Sequence, residues 1–100
     1  MSSFNEIINA EKPVLVNFSA DWCGPCKMMV GILDELKEIV GDNATILKVD
    51  VDRNPKAASR YQILGVPTLI LFNKGEVKWR QSGLVSAPQL EKIIKAKVYK

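Results

Sequence analysis

Histidine is absent from the chain. That removes imidazole acid–base catalysis, Ser-His and Cys-His nucleophile pairs, and every zinc site that needs a histidine ligand. Cysteine is almost as scarce, with only Cys23 and Cys26 present. Two thiolates cannot complete a tetrahedral zinc site unless carboxylates or a second chain supply the rest, so no metal site is expected. A bridge between them closes too small a loop to constrain the unfolded chain much, which argues against a structural staple. No apolar run reaches the roughly 20 residues of a membrane-spanning helix, so no membrane partner is expected. The opening Met1-Ser2-Ser3-Phe4-Asn5-Glu6 has neither the basic start nor the apolar core of a secretory signal. A cytoplasmic location is the expectation, in keeping with a cysteine pair used for chemistry rather than stapling.

Repeats, low-complexity tracts and linkers are lacking too, and 100 residues provide for one hydrophobic core. A single domain over residues 1–100 is therefore expected, with the functional site on it. The charge is modest, at +3 from 14 Lys+Arg and 11 Asp+Glu. Lys92, Lys95, Lys97 and Lys100 crowd the C-terminal end. Without an Arg-rich stretch or interleaved aromatics they read as the cationic last turns of a solvated helix, and no nucleic-acid partner is expected.

What is present is an alternation of helix and strand periodicities, the mark of an α/β domain. Ser3 with Glu6 forms a capping box ahead of Phe4, Ile7 and Ile8, which predicts a short first helix. Val14 to Ser19 is a nearly continuous apolar run, suited to a strand buried on both faces. From Pro25, the residues Met29, Ile32, Leu33, Leu36, Ile39 and Val40 make the apolar stripe of a helix ending near Gly41. Thr45 to Val51 reads as a second strand, parallel to the first across a helical crossover. Asn54-Pro55 supplies an N-cap and a first-turn proline for a short helix through Arg60. Thr68 to Phe72 and Glu76 to Gln81 flank a turn at Asn73-Lys74-Gly75 and predict a hairpin. Ser86 with Gln89 caps a last helix carrying Leu90, Ile93, Ile94 and Val98. The order α-β-α-β-α-β-β-α, read as two parallel crossovers and a terminal hairpin, implies a three-layer α/β/α sandwich.

The cysteines fall where a buried strand passes into a helix. Cys23 stands where the first helical N–H groups lack intrahelical partners and the macrodipole is positive. Such placements lower a thiol pKa from about 8.5 to roughly 3.5–7.5, which makes Cys23 the nucleophile. Cys26 lies on the same side of the first turn, just inside the helix, and is expected to be the more shielded thiol that resolves a mixed disulfide. Pro25 has helical φ and forfeits an N–H that would be unpaired anyway, while Gly24 leaves room for a substrate backbone. Trp22 is open to two readings, a core aromatic or an apolar screen beside the sulfurs. At Val66-Pro67 the residues alone do not choose between a cis bond and an ordinary turn.

Trp22-Cys23-Gly24-Pro25-Cys26-Lys27 resembles the thioredoxin family, as do Val14 to Lys27, Asp50 to Pro55, Gly65-Val66-Pro67-Thr68, Asn73-Lys74-Gly75-Glu76 and Gly83. The resemblance implies a protein-disulfide reductase with no bound cofactor, re-reduced by a thioredoxin reductase. It implies a cis Pro67 facing the sulfurs, a Val66 offering backbone groups to substrate, and a shallow groove completed by Trp22, Gly65 and Gly83. Three departures stand out. The family's buried strand acid is Asn17 here, which cannot accept a proton at neutral pH, although its lysine neighbour is retained as Lys48. Gly31 stands where many family members carry a kinking proline, and the given chain is expected to lack the family's first edge strand. The expected sheet then has four strands in the order second, first, third, fourth. Its open edge is guarded by Lys48 and Asp50, and the chain is expected to be a monomer. A reading of a different class is a binding module of the same fold whose dithiol chemistry is incidental.

Overall fold

In the computed structural model, which describes residues 3–99, the first strand dictates the architecture. All six residues of β1 (Val14–Ser19) are buried. Side chains alternate along a strand, so both of its faces must be covered. Val14, Val16 and Phe18 pack with Ile8, Ile70 and Phe72 against α1 (Phe4–Ile8) and α3 (Pro55–Arg60). The aromatic rings of Phe4, Tyr61 and Phe72 knit this layer, with centroids 5.2 to 6.0 Å apart. Leu15 packs with Leu69 and Leu71 against α2 (Gly24–Val40) and α4 (Ala87–Lys97). The result is the three-layer α/β/α sandwich expected from the sequence.

The sheet has the order β2-β1-β3-β4, with β2 at Thr45–Asp50, β3 at Thr68–Asn73 and β4 at Glu76–Ser82. β2 pairs parallel with β1, while β3 runs antiparallel to it, so the expected second parallel crossover does not form. The chain leaves β2 at Asp50, makes the short α3 and re-enters the sheet at the same end, where Thr68 pairs with Phe18. Among the described residues β2 pairs only with β1 and forms the sheet's edge.

Ser3 and Ser86 cap α1 and α4, their hydroxyls accepting from the Glu6 and Gln89 amides at 3.2 and 3.3 Å. Asn54 occupies the N-cap position of α3 but its side chain does not cap, contrary to expectation. Its Nδ2 donates instead to the Asp50 carbonyl at 3.0 Å, tightening the turn after β2. In α2 the buried stripe is Met29, Leu33, Leu36 and Val40, with Ile32 half-buried. Ile39 lies outside it and is exposed, because it sits one helical step round from Val40. Among the described residues no helix is long and apolar enough to cross a membrane.

α2 runs unbroken through Gly31. A Cβ there would meet nothing within 4 Å, and its φ is not left-handed. Gly31→Ala should therefore raise unfolding stability by about 0.5–1 kcal/mol, moving Tm up by several degrees in a thermal melt.

Candidate active site

The site is assembled where β1 hands over to α2. Cys23 is the N-cap of that 17-residue helix, and Pro25 lies in its first turn. Cys23 and Cys26 form a disulfide with Cα atoms 5.3 Å apart. The Cys26 backbone N–H donates to Cys23 Sγ at 3.1 Å, so the helix end directs an amide at the first sulfur. The Val66 carbonyl oxygen lies 3.6 Å from the same sulfur. The Val66–Pro67 bond is cis, as the resemblance implies.

Two further strands of contact hold this loop. The Thr68 hydroxyl donates to the Gly65 carbonyl at 2.6 Å and lies 2.9 Å from Ser82 Oγ on β4. The Gly83 N–H donates to the Pro67 carbonyl at 2.9 Å. Gly83 has φ +93°, a conformation open to glycine and strained for other residues. A Cβ at Gly24, Gly65 or Gly83 would meet nothing within 4 Å, so space over all three is open.

Trp22 is 72% exposed, which excludes the core-aromatic reading. Its indole Nε1–H donates to Asp52 Oδ2 at 3.0 Å. Asp52 is in turn set by Asp50, whose Oδ1 accepts from the Asp52 and Arg53 amides at 2.8 and 3.1 Å. The expected difference in shielding between the thiols is not seen, since Cys23 is 4% and Cys26 3% exposed. Both pack with Ala20 at the end of β1, against Val51 and Val66. The two differ instead in that the first-turn amide points at Cys23 Sγ.

Behind Cys26 opens a pocket of about 140 Å³, lined among others by Ser19, Lys27, Val30 and Lys48. Lys48 is exposed and stands opposite Asn17 in the β1–β2 register. Asn17 is fully buried, and neither of its side-chain polar atoms has a hydrogen-bond partner among the described residues. Neither Asn17 nor Pro67 is among the residues lining that pocket.

The thioredoxin family model matches residues 1–96. The chain belongs to the thioredoxin family. It is 46% identical over 84 residues to a thioredoxin of Rickettsia prowazekii, covering 83% of this chain and 80% of that one. It is 43% identical over 90 residues to a thioredoxin of Alicyclobacillus acidocaldarius, covering 90% and 86%. Against the chloroplastic thioredoxin Y2 of Arabidopsis thaliana, identity is 44% over 90 residues, 89% of this chain and 54% of the plant protein. A solved point-mutant thioredoxin from Halobacterium salinarum superposes with TM-score 0.86 at 36% identity, covering 97% of this chain and 84% of its own. As a member of the thioredoxin family with a redox disulfide at the expected helix start, this chain is a thiol–disulfide oxidoreductase.

Sequence reasoning did not single out Asp52, Thr68 or Ser82 as parts of the thioredoxin site. The Trp22–Asp52 bond joins residues 30 apart, and no local pattern announces it. The run Asp50, Asp52, Asn54-Pro55 does signal a side-chain-stabilised turn, which was the available hint.

Asn17 offers a direct check on the site's energetics. A buried polar group without partners costs about 1–3 kcal/mol. Asn17→Leu, similar in size and apolar, should raise stability by about 1–2 kcal/mol in chemical unfolding. A loss of stability would mean that the amide is satisfied in solution.

Proposed function

We propose that this chain reduces protein disulfides by dithiol exchange, with Cys23 attacking and Cys26 resolving. The Cys26 amide aimed at Cys23 Sγ carries this reading, because it stabilises negative charge on that sulfur. The Cys23 thiolate attacks one sulfur of a substrate disulfide. A mixed disulfide forms, and the other substrate sulfur departs as a thiolate that takes up a proton. Cys26 then loses its proton and attacks Cys23 Sγ, so the second substrate thiolate leaves and the Cys23–Cys26 disulfide forms.

Macromolecular substrates fit the surface. A cavity of about 140 Å³ reaches Cys26, below the ~300 Å³ usual for a small-molecule pocket. The open space over Gly24, Gly65 and Gly83 suits an extended chain laid past Val66, with exposed Trp22 as its apolar wall. In this reading the whole of residues 1–100 is one thioredoxin domain, acting as a cytoplasmic monomer re-reduced by a thioredoxin reductase. Charged Lys48 and Asp50 on the open β2 edge favour the monomer.

Iodoacetamide at limiting concentration and neutral pH should label Cys23 of the reduced protein well before Cys26. Labelling of Cys26 first would reverse the roles. Cys26→Ser should trap a mixed disulfide with a substrate protein and stop turnover, whereas a pure binding module would lose nothing by that change.

Asn17 cannot take the proton that Cys26 must lose, and the Ser19–Lys48 pocket supplies a solvent path to that thiol. Lys48, on the same face of the sheet, favours a thiolate there. Compared with Asn17→Asp, the wild type should then be the more oxidising protein and resolve the mixed disulfide more slowly. Equilibration with glutathione and stopped-flow reduction of a model disulfide between about pH 6 and 9 check the two effects separately. Indistinguishable potentials and profiles would leave Asn17 a packed polar residue with no part in the chemistry.

A further inference from the structure

A cavity of about 550 Å³ lies away from the disulfide. It lies between α1 and α3, and its lining includes three cations, Arg53, Lys56 and Arg60, with no acidic residue. The three follow one another at spacings of three and four, which places them along one side of α3 and its approach. Lys56 has no ion-pair partner among the described residues. Arg60 donates to Asn5 Oδ1 at 3.0 Å and stacks on Tyr61, so its guanidinium is held in place without being neutralised. Arg53 meets Asp21 at 3.6 Å, but both side chains are more than three-quarters exposed, and such a pair is weak and exchangeable.

This stripe is joined to the active site. Arg53 directly follows Asp52, which anchors Trp22, which in turn precedes Cys23. A polypeptide whose disulfide lies at Cys23 can therefore continue past Trp22 onto the cations. The cavity is open and its cationic side chains are all exposed, with no buried donor converging on one point. A compact anion would need such convergence. An extended chain needs only a row of charges, and about 10 Å of them spans some three residues of strand.

We propose that Arg53, Lys56 and Arg60 form a docking stripe for an acidic stretch of a protein disulfide substrate. It rests on the disulfide-reductase reading and adds to it a charge preference.

The test uses three peptides with the same intramolecular disulfide, flanked on one side by three aspartates, three serines or three lysines. At low ionic strength kcat/KM should fall in that order, the acidic peptide exceeding the neutral one by about three- to tenfold. In about 0.5 M salt, where the screening length is a few ångströms, the preference should largely vanish. Lys56→Gln should lower the acidic-to-neutral ratio, and the charge reversal Lys56→Glu should lower it further. Equal kcat/KM for the acidic and neutral peptides would overturn the stripe and leave the dithiol chemistry standing. Reduction of none of them would overturn both. A preference that survives Lys56→Glu unchanged, or that millimolar inorganic phosphate abolishes at constant ionic strength, would also overturn it.

Discussion

A backbone amide reaches Cys23 Sγ at 3.1 Å because a fully buried strand ends at the foot of a helix and the cysteine becomes that helix's N-cap. The geometry has several sources at once. β1 is locked on both faces, so the point where it leaves the sheet cannot drift. Pro25 sits in the first turn, where its missing N–H costs nothing. The stripe Met29, Leu33, Leu36 and Val40 ties the helix to the sheet beneath it, and each fully buried side chain of this kind contributes about 1.5–3 kcal/mol. The donor aimed at Cys23 Sγ is thus a backbone group held in place by the core. That suits a chain without histidine, which has no imidazole to take a proton from a thiol.

The same placement explains how two nearly equally buried cysteines can differ. Their residue exposures are 4% and 3%, too close to separate them. What separates them is direction. Cys23 Sγ receives the helix amide and faces the Val66 carbonyl. Cys26 borders the small pocket shared with Ser19 and Lys48. In the proposed mechanism the first side takes sulfur exchange and the second proton exchange with solvent. Asn17, buried near the end of the strand with neither polar atom partnered among the described residues, is an amide and cannot serve as a base at neutral pH.

Much of this was legible in the sequence because the signals are local. The run Val14 to Phe18, apolar but for Asn17, marks a central strand, Ser3 and Ser86 mark helix starts, and Asn73-Lys74-Gly75 marks a hairpin turn. The hairpin turn has positive φ at Lys74 and Gly75. The failures are long-range or geometric. The direction of β3 depends on which end of the sheet the chain re-enters, which periodicity does not report. Residue type marks Asn54 as a cap, yet its amide bonds back to the Asp50 carbonyl across the turn. The Trp22–Asp52 bond and the Thr68–Ser82 contact join elements that only the assembled sheet brings together. Relative shielding of the two thiols was inferred from helix position, but neighbouring segments cover Cys23 as fully as the helix covers Cys26.

The dependence of nucleophile choice on one helix-end amide can be measured directly by titrating each thiol alone. Thiolate absorbance in the ultraviolet, followed against pH in Cys26→Ser and in Cys23→Ser, reports the two groups separately. Cys23 should titrate well below the ordinary thiol value of about 8.5, and Cys26 should titrate above Cys23. Equal titration of the two, or a lower value for Cys26, would contradict the assignment of thiolate stabilisation to the α2 N-terminus.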